Sequence, residues 1–197
     1  KRKKAKSVLK KVAETLLGYP LADDALLVGT AGRYEFKNKG IDVFIEALKL
    51  LNDYHENRRE IVAFIMVPAY IKGHREDLAS CLQHAGQKLY SYNRITTHDL
   101  HDYYNDPVMS TLHWFHLRNQ QSDRIKVVFV PAYLNGNDGI FNLTYYDLLI
   151  GMDISVFPSY YEPWGYTPLE SVAFSVPTIT TGLSGFGEWV TRVPQGI

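Results

Sequence analysis

The chain has no surplus of charge: 21 lysines and arginines are matched by 21 aspartates and glutamates over 197 residues. That balance argues against a general binder of polyanions. It has a single cysteine, Cys81, which excludes an intramolecular disulfide framework and fits a reducing compartment. No apolar run approaches the ~20 residues that span a bilayer. The opening Lys1-Arg2-Lys3-Lys4 is too basic, and too short of an apolar core, for a secretory signal. A soluble, cytoplasmic protein is expected. The length suits one ordinary α/β domain with a real core.

What is present alternates between strand and helix patterns. Ala25–Thr30 is a short, continuously apolar run of the kind parallel sheets bury. Ile61–Val67, Ile125–Val130 and Ile154–Phe157 read as further strands, each closed by a proline, and Thr178–Thr181 as a last short strand. Ile41–Leu51 carries apolar residues at helical spacing, Thr144–Gly151 and Pro168–Ser175 look helical, and the basic opening starts an amphipathic helix running to about Leu17 with Val8, Val12 and Leu16 on one face. Such alternation predicts parallel βαβ units with right-handed crossovers, and so a Rossmann-like α/β fold with helices on both faces of the sheet.

Residues 69–124 break the pattern, since a crossover usually needs only a dozen or more residues. The stretch reads as a helical insertion of two helices, Glu76–Tyr104 and Pro107–Gln120, parted at Asn105-Asp106-Pro107. Six of the seven histidines fall near or inside it. His98/His101 and His113/His116 would share helix faces at i,i+3 spacing, which suits a metal, but the neighbouring aromatics favour a packing face instead. The preferred reading is assembly through Trp114, Phe115 and Leu117.

The most informative segment is Phe157–Glu170, FPSYYEPWGYTPLE. Two carboxylates, Glu162 and Glu170, flank a turn holding Trp164, Gly165, Tyr166 and Thr167. A strand that ends in a turn and feeds a helix presents its ligand-facing groups at the carboxyl edge of a sheet, where α/β proteins bind small molecules. The turn's free N–H groups would face an anion, while the carboxylates suit sugar hydroxyls. A bare pair of glutamates at this spacing is usually solvated surface, but exposed aromatic area as large as Trp164 and Tyr166 is seldom left wet. The segment therefore reads as a nucleotide-sugar site.

These residues resemble the glycogen synthases of the animal and fungal type, retaining glucosyltransferases built from two Rossmann-like domains. The resemblance rests on VFPSYYEPWGYTP, the apolar helix after it, VPTITTGLSGFG, and GRYEFKNKGIDVFIEAL from Gly32 to Leu48, with VFVPAYLN and LTYYD as weaker support. It implies that residues 1–197 are part of the C-terminal donor-binding domain, one half of a GT-B glycosyltransferase, with the N-terminal acceptor domain outside this chain. The chain alone is then expected to show no turnover and to bind nucleotide weakly. The resemblance also implies that the insertion pairs subunits.

By the same resemblance, Arg33 and Lys39 grip the donor diphosphate, helped by the helix N-terminus near Gly40. Glu162 holds a glucose hydroxyl and offsets positive charge at the anomeric carbon. The amides of Trp164 and Gly165 bind further hydroxyls, and Tyr166 and Thr167 lie where the diphosphate passes. Glu170 accepts from the ribose, Tyr145 stacks on the base and Tyr133 frames it. The donor is UDP-glucose or ADP-glucose, and the acceptor an α-1,4-glucan. No metal or other cofactor is expected, since no D-x-D motif stands at a strand end, and neither are nucleic-acid or membrane partners.

Other readings remain at this stage. Arg33 and Lys39 could be exposed ends pairing with Glu35, and Tyr145 with Tyr146 could be core. Glu162 and Glu170 could be the acid pair of a glycosidase, whose carboxyls stand about 5–9.5 Å apart, although a hydrolase has no diphosphate for the two cations to hold. The chain could also be the donor domain of another retaining transferase, or a non-catalytic nucleotide-binding or assembly module.

Overall fold

The computed structural model describes residues 1–54, 56, 59–84 and 86–193. Five parallel strands form its central sheet: β1 (Leu26–Ala31), β2 (Ile61–Met66), β5 (Ile125–Val130), β6 (Ile154–Phe157) and β7 (Thr178–Thr180). Their spatial order is β5-β2-β1-β6-β7. The chain builds outward from β1 to β5, then crosses back to lay β6 on the other side of β1. The carboxyl ends of β1 and β6 therefore diverge into a crevice, the place where doubly wound sheets bind ligands.

Side-chain alternation sends the sheet's apolar residues to two cores. Leu27, Val62, Phe64, Val128 and Val130 meet α1 (Arg2–Leu17), α3 (Glu76–Gln83) and α5 (Tyr145–Leu149) on one face. Val28, Ala63, Ile65, Val127 and Phe129 meet α2 (Ile41–Asp53) and α4 (Pro107–Trp114) on the other. Both faces being covered explains why these strands are mostly apolar without strict alternation. The fold is α/β and Rossmann-like, as the alternation predicts. Helices α6 (Tyr166–Ala173) and α7 (Gly185–Arg192) follow β6 and β7. No helix among the described residues is long and apolar enough to cross a membrane.

The insertion differs from the two helices expected. Only α3 and α4 form, and two short strands, β3 (Ile71–His74) and β4 (His98–Leu100), pair antiparallel as a second small sheet. Helix cannot continue past α3: Gly86 takes φ 88°, and the Asn93 side chain accepts from the amides of Ile95 and Thr96, a local bond that competes with helical ones. Arg75 then holds the loop, donating to the carbonyls of Asn93 and Thr96 and paired with Asp77. At α4, Asp106 caps the amides of Val108 and Met109, but His116 at φ 56° turns the chain so that Leu117 enters the core. Leu117 is thus no subunit contact, whereas Trp114 is 80% exposed.

The histidine pairs do not share helix faces either. His98 lies in a strand, bonded to Thr97 and to the Asp138 carbonyl, while His101 stacks on Tyr70 and His116 contacts Arg118 beyond the end of α4.

Asp153 ties the lead-in helix to the sheet. Its carboxylate accepts from Arg2, from Lys6 at 2.8 Å and from the Leu27 amide at 2.9 Å. Burial alone would raise its pKa; the Leu27 amide and the two cations outweigh this and hold it below the ordinary value of 3.8. The stabilisation is therefore present at neutral pH and lost as pH falls below about 3.8 through the folded value. Asp153→Asn should cost about 2 kcal/mol at pH 7 and flatten the acid limb of stability, read by denaturant melts across pH.

A second prediction concerns Gly40, which caps α2 in the left-handed region at φ 64°. A Cβ there would stand 1.9 Å from the Pro158 carbonyl oxygen. Gly40→Ala should destabilise the fold by more than about 3 kcal/mol, whereas Gly182→Ala, where a Cβ meets nothing within 4 Å, should melt close to wild type.

Candidate functional site

Two loops build the crevice. The first leaves β1 through Gly32 and runs through Arg33–Asn38 to the cap of α2. Local bonds shape its turn: the Lys39 amide donates to the Glu35 carbonyl, and the Gly40 amide to that of Lys37. The second leaves β6 at Pro158 and enters α6 through Gly165, which adopts φ 97°. The loops are stitched together where the Tyr160 amide donates to Asn38 O at 2.9 Å. From the far side, the Thr181 hydroxyl donates to Ser159 O, and the Gly185 amide to Glu162 O. Glu162 is thus fixed by backbone on both flanks.

Between the loops lies a cleft of about 680 Å³, within the size range of small-molecule sites. Arg33, Lys39, Tyr133, Tyr145, Glu162, Tyr166, Thr167 and Glu170 all line it. Residues more than a hundred positions apart in sequence, singled out by the family resemblance, converge on one space. Trp164 and Gly165 are not part of the lining. The Trp164 indole turns away to Phe186 and Trp189, with ring centres 6.2 and 6.4 Å apart.

The charges are arranged unequally. Lys39 is largely buried and pairs with the Glu162 carboxylate across the cleft. Arg33 is 74% exposed, its guanidinium held by Glu35 at 2.9 Å. Pairing with Glu35 therefore describes Arg33 but not Lys39, and Lys37 is a surface residue bonded to Asp42. An exposed guanidinium tied only to a neighbouring carboxylate exchanges partners at little cost. Lys39 exchanges only for a ligand that also satisfies Glu162.

At the other end, Tyr145 is the first residue of α5, after the Thr144 cap, with its ring half-buried against the first core. Its hydroxyl is buried without a hydrogen-bond partner, and burial, then the nearby Glu170 charge, pushes its pKa well above the ordinary tyrosine value. Tyr133 opposite is 77% exposed, a free aromatic face at the mouth. Glu170, in α6, accepts from the Tyr146 hydroxyl at 2.8 Å.

Sequence reasoning passes over Tyr34 and Asn135, which also line the cleft. Tyr34 donates to Asp106 at 2.7 Å and accepts from the Val108 amide, so the loop after β1 is bonded to the cap of α4. Burial raises the pKa of the Tyr34 hydroxyl well beyond its ordinary range and lifts that of the Asp106 carboxyl. The only local signal was its position directly after Arg33 at a strand end.

Comparison with known proteins accords with this geometry. A family model described as glycogen synthase matches residues 18–81 and 78–194. Mouse liver glycogen [starch] synthase is 33% identical over 218 residues, covering 85% of this chain and 31% of its own length. Isoform 1 of the Saccharomyces cerevisiae enzyme is 30% identical, covering 85% and 32% respectively, and the Neurospora crassa glycogen [starch] synthase is 34% identical, covering 84% and 31%. The chain thus spans about a third of the length of the curated relatives it matches. With nearly its whole length matched by one family model, the chain belongs to the glycogen synthase family.

Proposed function

We propose that the chain is the donor-binding part of a glycogen synthase, a retaining glucosyltransferase that moves glucose from UDP-glucose or ADP-glucose to the non-reducing end of an α-1,4-glucan. One observation carries the reading: Arg33, Lys39, Glu162 and Glu170 surround a single cleft at the strand-order reversal. Breaking the bond between the anomeric carbon and a phosphate oxygen puts negative charge on the departing diphosphate, and fixed cations are what that step needs. Lys39 supplies a point charge beside the N-terminus of α2. Arg33 leaves Glu35 to fork onto two phosphate oxygens.

Glu162 holds a glucose hydroxyl and offsets positive charge at the anomeric carbon, with the amides of Trp164 and Gly165 binding further hydroxyls. Tyr166 and Thr167 open α6, where unsatisfied helix amides favour an anion. Glu170 takes the ribose hydroxyls. Tyr145 and Tyr133 flank the base, and stacking there contributes about 1–3 kcal/mol. Side chains suffice for the leaving group, so the reading invokes no metal. A glycosidase gains no support, because Lys39 already engages Glu162. The reading carries with it a cytoplasmic location and assembly through the exposed part of α4 around Trp114. The acceptor glucan needs a domain beyond this chain, so the chain alone should transfer no glucose.

Calorimetric titration with UDP, UDP-glucose, ADP and ADP-glucose tests the reading. Binding should prefer one base, which names the donor. Arg33→Ala should weaken it tenfold or more, as expected for loss of about 1.5–3 kcal/mol of charge-assisted hydrogen bonding. A folded chain that binds none of the four, or an Arg33→Ala variant that binds as well as wild type, would overturn the assignment. Lys39→Met should also weaken binding and, by leaving Glu162 without its partner, lower the melting temperature; adding Glu162→Gln should restore part of that loss.

A further inference from the structure

The Glu170 carboxylate is not free. Tyr146 reaches from α5 to α6, donates its hydroxyl to Oε1 of Glu170 at 2.8 Å, and lies flat on Phe174, with ring centres 5.3 Å apart and planes inclined by 13°. Glu170 and Phe174 stand one helical turn apart on the same face of α6, so one tyrosine grips both. Neighbouring residues on α5 divide the work: Tyr145 turns into the cleft, and Tyr146 crosses to the next helix.

We infer that Tyr146 is a positioning residue that sets the orientation of Glu170 for a vicinal diol, the ribose of the donor nucleotide. A carboxylate offers two oxygens with roughly four acceptor sites. With the phenol on Oε1 and the ring clamped by Phe174, the torsion of the carboxylate is set before any ligand arrives. With Oε1 engaged and Glu170 lining the cleft, Oε2 is the oxygen left to accept from two adjacent hydroxyls of a ligand. Without the phenol, the carboxylate of a long, flexible side chain would have to be ordered at the moment of binding, and that ordering lowers affinity. A tyrosine hydroxyl is protonated and able to donate at neutral pH, and the hydrogen bond to Glu170 raises the pKa of this one further.

The inference rests on the proposed donor site, and the test separates the two. Wild type and Tyr146→Phe would be titrated calorimetrically with UDP and 2′,3′-dideoxy-UDP, and with the corresponding adenine pair. The phenylalanine keeps the ring on Phe174 and removes only the hydroxyl. Wild type should bind the ribose form more tightly than the dideoxy form. Tyr146→Phe should lose about three- to tenfold toward the ribose form, the size of one modest hydrogen bond, while its affinity for the dideoxy form stays unchanged. A tyrosine that merely ties α5 to α6 would alter both ligands alike or neither, and either result would overturn the inference alone. A wild-type chain that does not distinguish ribose from dideoxyribose would remove Glu170 as the sugar ligand. One that binds no nucleotide at all would remove the donor site itself, and this inference with it.

Discussion

The cleft depends on how closely two loops can approach, and Gly40 sets that distance. The backbone of Pro158 lies where any side chain at position 40 would begin. Because that approach is open, the start of α2 meets the exit of β6, and Tyr160 can bond to Asn38. Lys39 and Glu162, carried on the two sides of this seam, come into contact as a result. Strand order supplies the crevice, and one missing methyl group narrows it to the width of an ion pair.

The scaffold behind the seam is conservative α/β physics. Two apolar cores sandwich the sheet, and two of the polar side chains buried beside them bond to nearby backbone. Lys126, fully buried in β5, donates to the carbonyls of Gln120, Gln121 and Asp123 and so fastens the turn that leads into its own strand. Asn119 does the same for β5 through the amide and carbonyl of Val127. These anchors hold the edge of the sheet away from the cleft, leaving the carboxyl ends of β1 and β6 as its open side.

Much of this was legible in the sequence, and the reasons differ by element. Strands buried on both faces announce themselves as short, predominantly apolar runs, so β1, β2, β5 and β6 were readable to within a residue or two. The place of the cleft was legible because its candidate residues sit in segments at strand ends, while the roles proposed for them came from the family resemblance. The insertion was not, because its order comes from side chains such as Arg75 and Asn93 that bond backbone groups far from where a periodicity count looks. The burial of Leu117 follows from the left-handed turn at His116, which no periodicity count contains either. Pairings across helices were equally hidden: nothing in the sequence says that Tyr146 meets Glu170 or that Tyr34 meets Asp106.

The pairing of Lys39 with Glu162 means that the unliganded cleft is already neutral where the chemistry is proposed to occur. A ligand there enters by exchange, replacing one partner with another, and its net gain is the difference between the two. Inorganic phosphate could take Lys39 only by stranding Glu162. A molecule that brings an anionic group and sugar hydroxyls on one frame leaves neither residue wanting. If the proposed donor is the ligand, discrimination between a sugar nucleotide and free phosphate follows from the contact between Lys39 and Glu162 itself.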